Sequence, residues 1–133
     1  MSPRTEEEFA PLRPGEFLVL ASLQRAPLHG YGISQAVRER TYGRVRLRPG
    51  NLYRVLDRLL ERGLVEPSDR RPARDRREER ALPATGGGRR PQHTDERRQY
   101  YRLTPQGRRA LAQEAELLAD VALEVISLSP AKA

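Results

Sequence analysis

Cysteine and tryptophan are both absent from this chain of 133 residues, and Lys132 is the single lysine among its 25 basic side chains. Without cysteine there can be no disulfide and no thiolate metal site. The two histidines, His29 and His93, stand far apart in sequence, so no metal site is expected. No Ser–His–Asp grouping is visible, and no glycine-rich phosphate cradle precedes a helix. The "GGG" at 86–88 sits in low-complexity sequence and reads as linker. Catalysis and a cofactor are therefore not expected. No apolar run approaches the roughly 18 residues of a membrane helix. The opening "MSPRTEEEFAPLRPG" has no apolar signal core. The expectation is a cytoplasmic protein with no membrane partner.

What the chain does have is charge. Charged residues make up 32% of it and hydrophobic residues 37%, with a net charge of +7. The balance favours a polyanionic partner, nucleic acid first. The arginine skew by itself has a second source, GC-rich coding. The excess positive charge exists whatever its origin.

Residues 1–13 read as a flexible polar arm. "EFLVLASLQR" (16–25) is a short apolar helix that Pro27 ends, and "LHGYG" reads as a turn in which His29 caps or packs. "YGISQAVRERT" is a second helix, closed by Gly43. "RVRLR" (44–48) alternates charge with Val45 and Leu47 and predicts a short strand. In "RPGNLYRVLDRLL" (48–60), Leu52, Val55, Leu56, Leu59 and Leu60 follow the spacing of one buried helix face. Pro49 suits its first position and Gly63 its end. "LVE" (64–66) and "RQYYRLT" (98–104) read as strands, the latter with Tyr101 and Leu103 on one face and Tyr100 and Arg102 on the other. Thr104 and Pro105 then open a helix that runs to about Leu128.

Helix, helix, strand, helix, strand, loop, strand is the layout of a winged helix-turn-helix. The fold class expected is mainly α with a small β-wing, completed by a C-terminal dimerisation helix. The expected division is a winged-helix domain over 14–103, a helix over 104–128 and a tail over 129–133. A long mobile wing insertion occupies about 68–97. Residues 69–98 hold ten arginines and six acids, a local excess of four positive charges. Such a segment can follow phosphates, and it can equally be a solvated insertion.

The outer face of the third helix offers Asn51, Arg54 and Arg58 at i, i+3 and i+7. A helix of this width fits the major groove, where arginine pairs with guanine and asparagine with adenine. A solvated face with ion pairs to Asp57 and Glu61 is the competing reading. Tyr53 can donate to a phosphate or pack at the core edge. Arg48, Arg97 and Arg98 complete the candidate DNA-contacting set. In the last helix Leu111, Leu118 and Val125 recur every seven residues, as do Val121 and Leu128. The stripe suits a partner helix, and could instead fold back on its own domain. A winged helix that binds protein rather than DNA is the alternative function. It would call for aromatic or aliphatic anchors on the outer face, where the sequence has Asn, Arg, Asp, Arg and Glu.

Three segments resemble the PadR family of transcriptional regulators, named for a phenolic-acid-responsive repressor. They are "FLVLASLQRAPLHGYGI" (17–33), "RPGNLYRVLDRLLERGLVE" (48–66) and "YYRLTPQGRRAL" (100–111). The resemblance implies a sequence-specific DNA-binding regulator, commonly a repressor. It implies a homodimer joined through the C-terminal helix, bound to a two-fold operator in double-stranded DNA. It places Tyr53 and the start of the third helix at the DNA. It also implies a small-molecule effector near the dimer interface, of unknown identity here. The wing is longer than the family's usual hairpin. The tryptophan that sandwiches planar drugs in some members is missing, so no ligand site is carried over. The single C-terminal helix resembles the family's shorter branch.

Overall fold

In the computed structural model, residues 10–69 and 99–130 are described. Most of the expected arm, most of the expected wing with Arg97 and Arg98, His93 and the last three tail residues lie outside the described residues. The element order is α1 (Pro14–Ser22), β1 (Leu28–His29), α2 (Gly30–Arg40), α3 (Pro49–Glu61), β2 (Val65–Ser68), β3 (Tyr100–Leu103) and α4 (Pro105–Leu128). This mainly helical chain carries one small antiparallel sheet in the order β1-β3-β2.

Each helix start has a local cause. Pro14, Pro49 and Pro105 occupy the first turns of α1, α3 and α4, where a missing N–H costs nothing. The Glu16 carboxylate accepts the Arg13 backbone N–H at 2.9 Å, the returning half of a capping box. His29 Nδ1 accepts the Gly32 N–H at 3.0 Å, so His29 is the N-cap of α2. That nitrogen is therefore unprotonated, and the ring proton sits on Nε2.

The helix ends share one motif with different residues. After α3, Gly63 takes φ 74°, its N–H reaches Leu60 O, and Leu64 N–H reaches Leu59 O. This is a Schellman closure with the buried pair Leu59 and Leu64 beside it. After α2 the same bonds run from Tyr42 to Glu39 O and from Gly43 to Arg38 O. Here a tyrosine at φ 56° holds the position glycine usually takes, with 92% of its surface exposed.

The core gathers Val19, Leu20 and Leu23 of the α1 region, Ile33 and Val37 of α2, and Leu52, Val55, Leu56 and Leu59 of α3. Leu103, Ala110 and Leu111 close it from β3 and α4. The join between α3 and α4 is tight. Thr104 Oγ1 donates to Gly63 O at 2.6 Å and accepts the Gly107 N–H at 2.9 Å, while Thr104 N–H reaches Leu64 O at 3.1 Å. One threonine thus caps α4 and ties it to the end of α3. A Cβ at Gly107 would run into the Leu64 carbonyl, which is why glycine stands there.

Several expectations need correction. Residues 44–48 pair with no strand: Arg44 sits in the turn after α2, its N–H reaching Thr41 O at 3.0 Å, and the segment leads irregularly to the extended N-cap Arg48. The burial alternates as the sequence does, yet side chains satisfy this backbone instead: Val45 N–H donates to Thr41 Oγ1 at 3.0 Å, and Ser34 Oγ donates to Leu47 O at 3.2 Å. The third strand is Leu28–His29, in the segment read as a turn, pairing with Tyr101 and Tyr100. Gly30 and Gly32 belong to the first turn of α2. The first helix ends at Ser22, before the expected Arg25. Both faces of the last strand carry a buried tyrosine: Tyr100 is covered as well as Tyr101, with the His29 ring edge-on to Tyr100 at 5.0 Å. The described end of the N-terminal arm is anchored, with Leu12 in the core.

Replacing Gly107 by alanine should cost about 1–3 kcal/mol, the range for overpacking a filled site. Urea denaturation reads this directly. An unchanged midpoint would show that α4 can move off Leu64 without penalty.

Candidate nucleic-acid interface

The candidate interface is built on α3, whose two faces are set by sequence spacing. Leu52, Val55, Leu56 and Leu59 are buried, while Asn51, Tyr53, Arg54 and Asp57 are exposed. Leu60 is only half-buried at the edge. Arg48 is the N-cap residue, is exposed and makes no capping bond with its side chain. Asn51 and Arg54 hold no hydrogen bond or ion pair among the described residues. The ion pairs of the competing reading, to Asp57 and Glu61, do not form at Arg54, so the polar heads of this row stand in solvent.

Arg58 is placed differently. Its Nε donates to Glu16 Oε2 at 3.0 Å, and Arg62 Nη1 reaches Glu16 Oε1 at 3.3 Å. Arg62 also donates to Ala10 O at 3.0 Å. Glu16 is only 2% exposed. Burial opposes its charged form. The Arg13 N–H, the Arg58 hydrogen bond and the two guanidiniums outweigh that and hold its carboxyl below the usual carboxylate value. Arg58 therefore fastens α3 to α1, and the outward row at the start of the helix is Arg48, Asn51 and Arg54. The sequence showed Glu16 only as part of an apolar helix. A faint local signal existed in its place three residues after the N-cap. Its partner lies 42 residues away, and no spacing rule spans that distance.

Tyr53 packs at the core edge and keeps part of its surface in solvent. It is 48% exposed, yet its hydroxyl side covers Gly30: a Cβ there would sit 2.5 Å from Tyr53 Oη. The glycine of "HGY" thus makes room for the tyrosine of "PGNLY". Tyr101 supports this corner from β3. Its hydroxyl pKa is raised by burial and by the nearness of Tyr53 and Asp57.

The apolar stripe expected to pair with a partner helix divides along α4. Leu111 is 5% exposed and belongs to the protomer's own core. It is removed from the stripe because α4 packs on α1 and β3 over its first two turns. From Ala115 onward every described side chain of the helix is exposed. Leu118, Val121, Val125 and Leu128 are among them, and so are Leu117, Leu123 and Ile126. Arg97 and Arg98 lie outside the described residues. No group of three His, Cys, Asp or Glu side chains suited to a metal occurs among the described residues. No helix among them is long and apolar enough to cross a membrane.

Because the Glu16 carboxyl is lowered on folding, its contribution is fully present above the unfolded value of about 4.3 and fades as pH falls through the folded one. Glu16→Gln should lose about 2 kcal/mol at neutral pH, the scale of a hydrogen bond to a charged group. The gap from the parent protein should close below about pH 4. A gap that stays constant from pH 7 to pH 3 would show that charge is not what holds α1 to α3.

Comparison with known proteins gives three findings. A family profile, that of the transcriptional regulator PadR-like family, matches residues 19–91. An uncharacterized 37.1 kDa protein in transposon TN4556 of Streptomyces fradiae is 36% identical over 104 residues, 78% of this chain. The match spans only 23% of that relative's length. Among solved structures, a transcriptional regulator from Clostridium thermocellum superposes with a TM-score of 0.62 at 20% identity, covering 87% of this chain and 90% of that one. A PadR family transcription regulator from Clostridium difficile gives 0.59 at 19% identity, over 85% and 95% of the two chains. At these identities the superpositions speak for the shared fold.

Proposed function

The chain belongs to the PadR-like family of transcriptional regulators, and from that premise we propose that it is a sequence-specific repressor that binds a two-fold DNA operator as a homodimer, with α3 in the major groove. The observation that carries the reading is the asymmetry of α3. Its leucine side and the Glu16 clamp fix it to the domain, while Arg48, Asn51 and Arg54 face outward without partners among the described residues. Arginine donates two hydrogen bonds to guanine O6 and N7, and asparagine pairs with adenine N6 and N7. A rigid helix spends little entropy holding those groups in register. Tyr53, wedged over Gly30, keeps its exposed edge beside the same row and contacts a phosphate. Arg58 supports the reading helix from behind, and the cationic Arg97 and Arg98, outside the described residues, add phosphate contacts.

A second copy of this chain covers the outer half of α4. Leu118, Val121, Val125 and Leu128 repeat at the spacing of a two-helix seam, and their exposure in one protomer leaves an apolar surface that water disfavours. Two-fold pairing of that helix presents two copies of α3, which calls for two half-sites with matching symmetry. A dimer lying across such a site blocks the DNA it covers, which is repression. An effector that reshapes the α4 seam would change the distance between the reading helices.

Selection of bound fragments from random duplex DNA should return two inverted half-sites whose centres lie about one helical turn, or a multiple, apart. Arg54→Ala should cost about 1–3 kcal/mol on the selected site and relax the preference at one position of each half-site. Enrichment of no duplex, or an Arg54→Ala protein with the original preference, would overturn the reading. Light scattering should give twice the 15.2 kDa chain mass, and Val121→Glu with Val125→Glu should return it to one chain. A monomeric parent protein would remove the α4 seam from the account.

A further inference from the structure

The segment before α3 carries a second row of arginines. Arg44, Arg46 and Arg48 are exposed, while Val45 and Leu47 between them pack against the core. Alternation of this kind puts the three guanidinium stems on one side. Arg44 opens the row from the turn after α2, where its N–H reaches Thr41 O at 3.0 Å, and two residues of chain separate successive members by at most about 7 Å. That is the scale of successive phosphates on one strand of a duplex, each about 3.4 Å of axis from the next and roughly 6–7 Å along the helical path.

The backbone beneath the row is fixed. Thr41 Oγ1 receives Val45 N–H at 3.0 Å, Ser34 Oγ donates to Leu47 O at 3.2 Å, and the Tyr42–Gly43 reversal sets the direction of entry. The row is also unneutralised. Arg58, Arg62 and Arg102 each have a carboxylate partner, whereas Arg44, Arg46 and Arg48 have none among the described residues. It leads straight into Pro49, so it lies beside the end of α3 that carries Asn51 and Arg54.

We propose that Arg44 and Arg46, continuing from Arg48, form a preformed edge that grips the phosphates of one DNA strand beside the groove that α3 enters. This rests on the reading of α3 as the groove helix. The edge supplies affinity without sequence information, because every nucleotide offers the same phosphate. Ordering it costs little, since its backbone is already held.

The test is a salt series of equilibrium binding on two 30-base-pair duplexes, one selected by the protein and one of mixed sequence. The double variant Arg44→Gln with Arg46→Gln should lower the log–log salt slope by roughly 0.9 per lost contact, about 2 per protomer engaged. It should weaken both duplexes by the same factor and leave their affinity ratio unchanged. Arg44→Lys with Arg46→Lys should keep the parental slope, because phosphate attraction needs charge rather than a fork. If the parent protein binds duplex while the glutamine variant keeps its slope, the edge is wrong and the groove reading stands. A lysine variant that loses slope as the glutamine variant does would also overturn the edge. If the parent protein binds neither duplex, both fail together.

Discussion

The fixing of α3 along its inner side is the constraint that organises this molecule. α3 is gripped in three ways: its leucine face enters the core, Glu16 holds Arg58 and Arg62 from α1, and Thr104 fastens the turn after the helix to α4. The Glu16 site is a buried carboxylate with two guanidiniums and a backbone N–H directed at it. Burial alone would oppose the charge, and the three donors with their positive fields reverse that balance. Removing one partner of such a cluster leaves the others desolvated, so it tolerates little change.

The same economy explains the short motifs. The glycine of "HGY" leaves space for the tyrosine of "PGNLY". The threonine and glycine of "LTPQG" let α4 start against the backbone of Leu64. His29 caps α2, pairs with β3 and faces Tyr100 across their ring edges. Each is a packing requirement of the scaffold. Motifs of this kind therefore report the fold, while Asn51 and Arg54 stand outside its packing.

Where the sequence reading went astray, local pattern and tertiary pairing disagreed. "RVRLR" has the alternation of a strand and shows the matching burial, but no edge is offered to it, so serine and threonine side chains complete its hydrogen bonds. Leu28–His29 has too short a pattern to be seen as a strand and becomes one because β3 arrives beside it. Leu111 fits the heptad as well as Leu118 does. Only the position of α1 and β3 along α4 assigns it to the protomer's own core.

By itself the sequence determined the helical segments, the inward face of α3 and the caps at Thr104 and Gly63, because these depend on residues within a turn or two of each other. It also set the excess of positive charge and the family motifs. Tertiary structure decided which arginines are committed and which are free. Glu16 reaches Arg58 across 42 residues of chain, and no periodicity encodes a meeting of that kind. It likewise decided how far along α4 the apolar stripe becomes surface, since exposure is fixed by what packs against a residue and not by where the residue falls in a repeat.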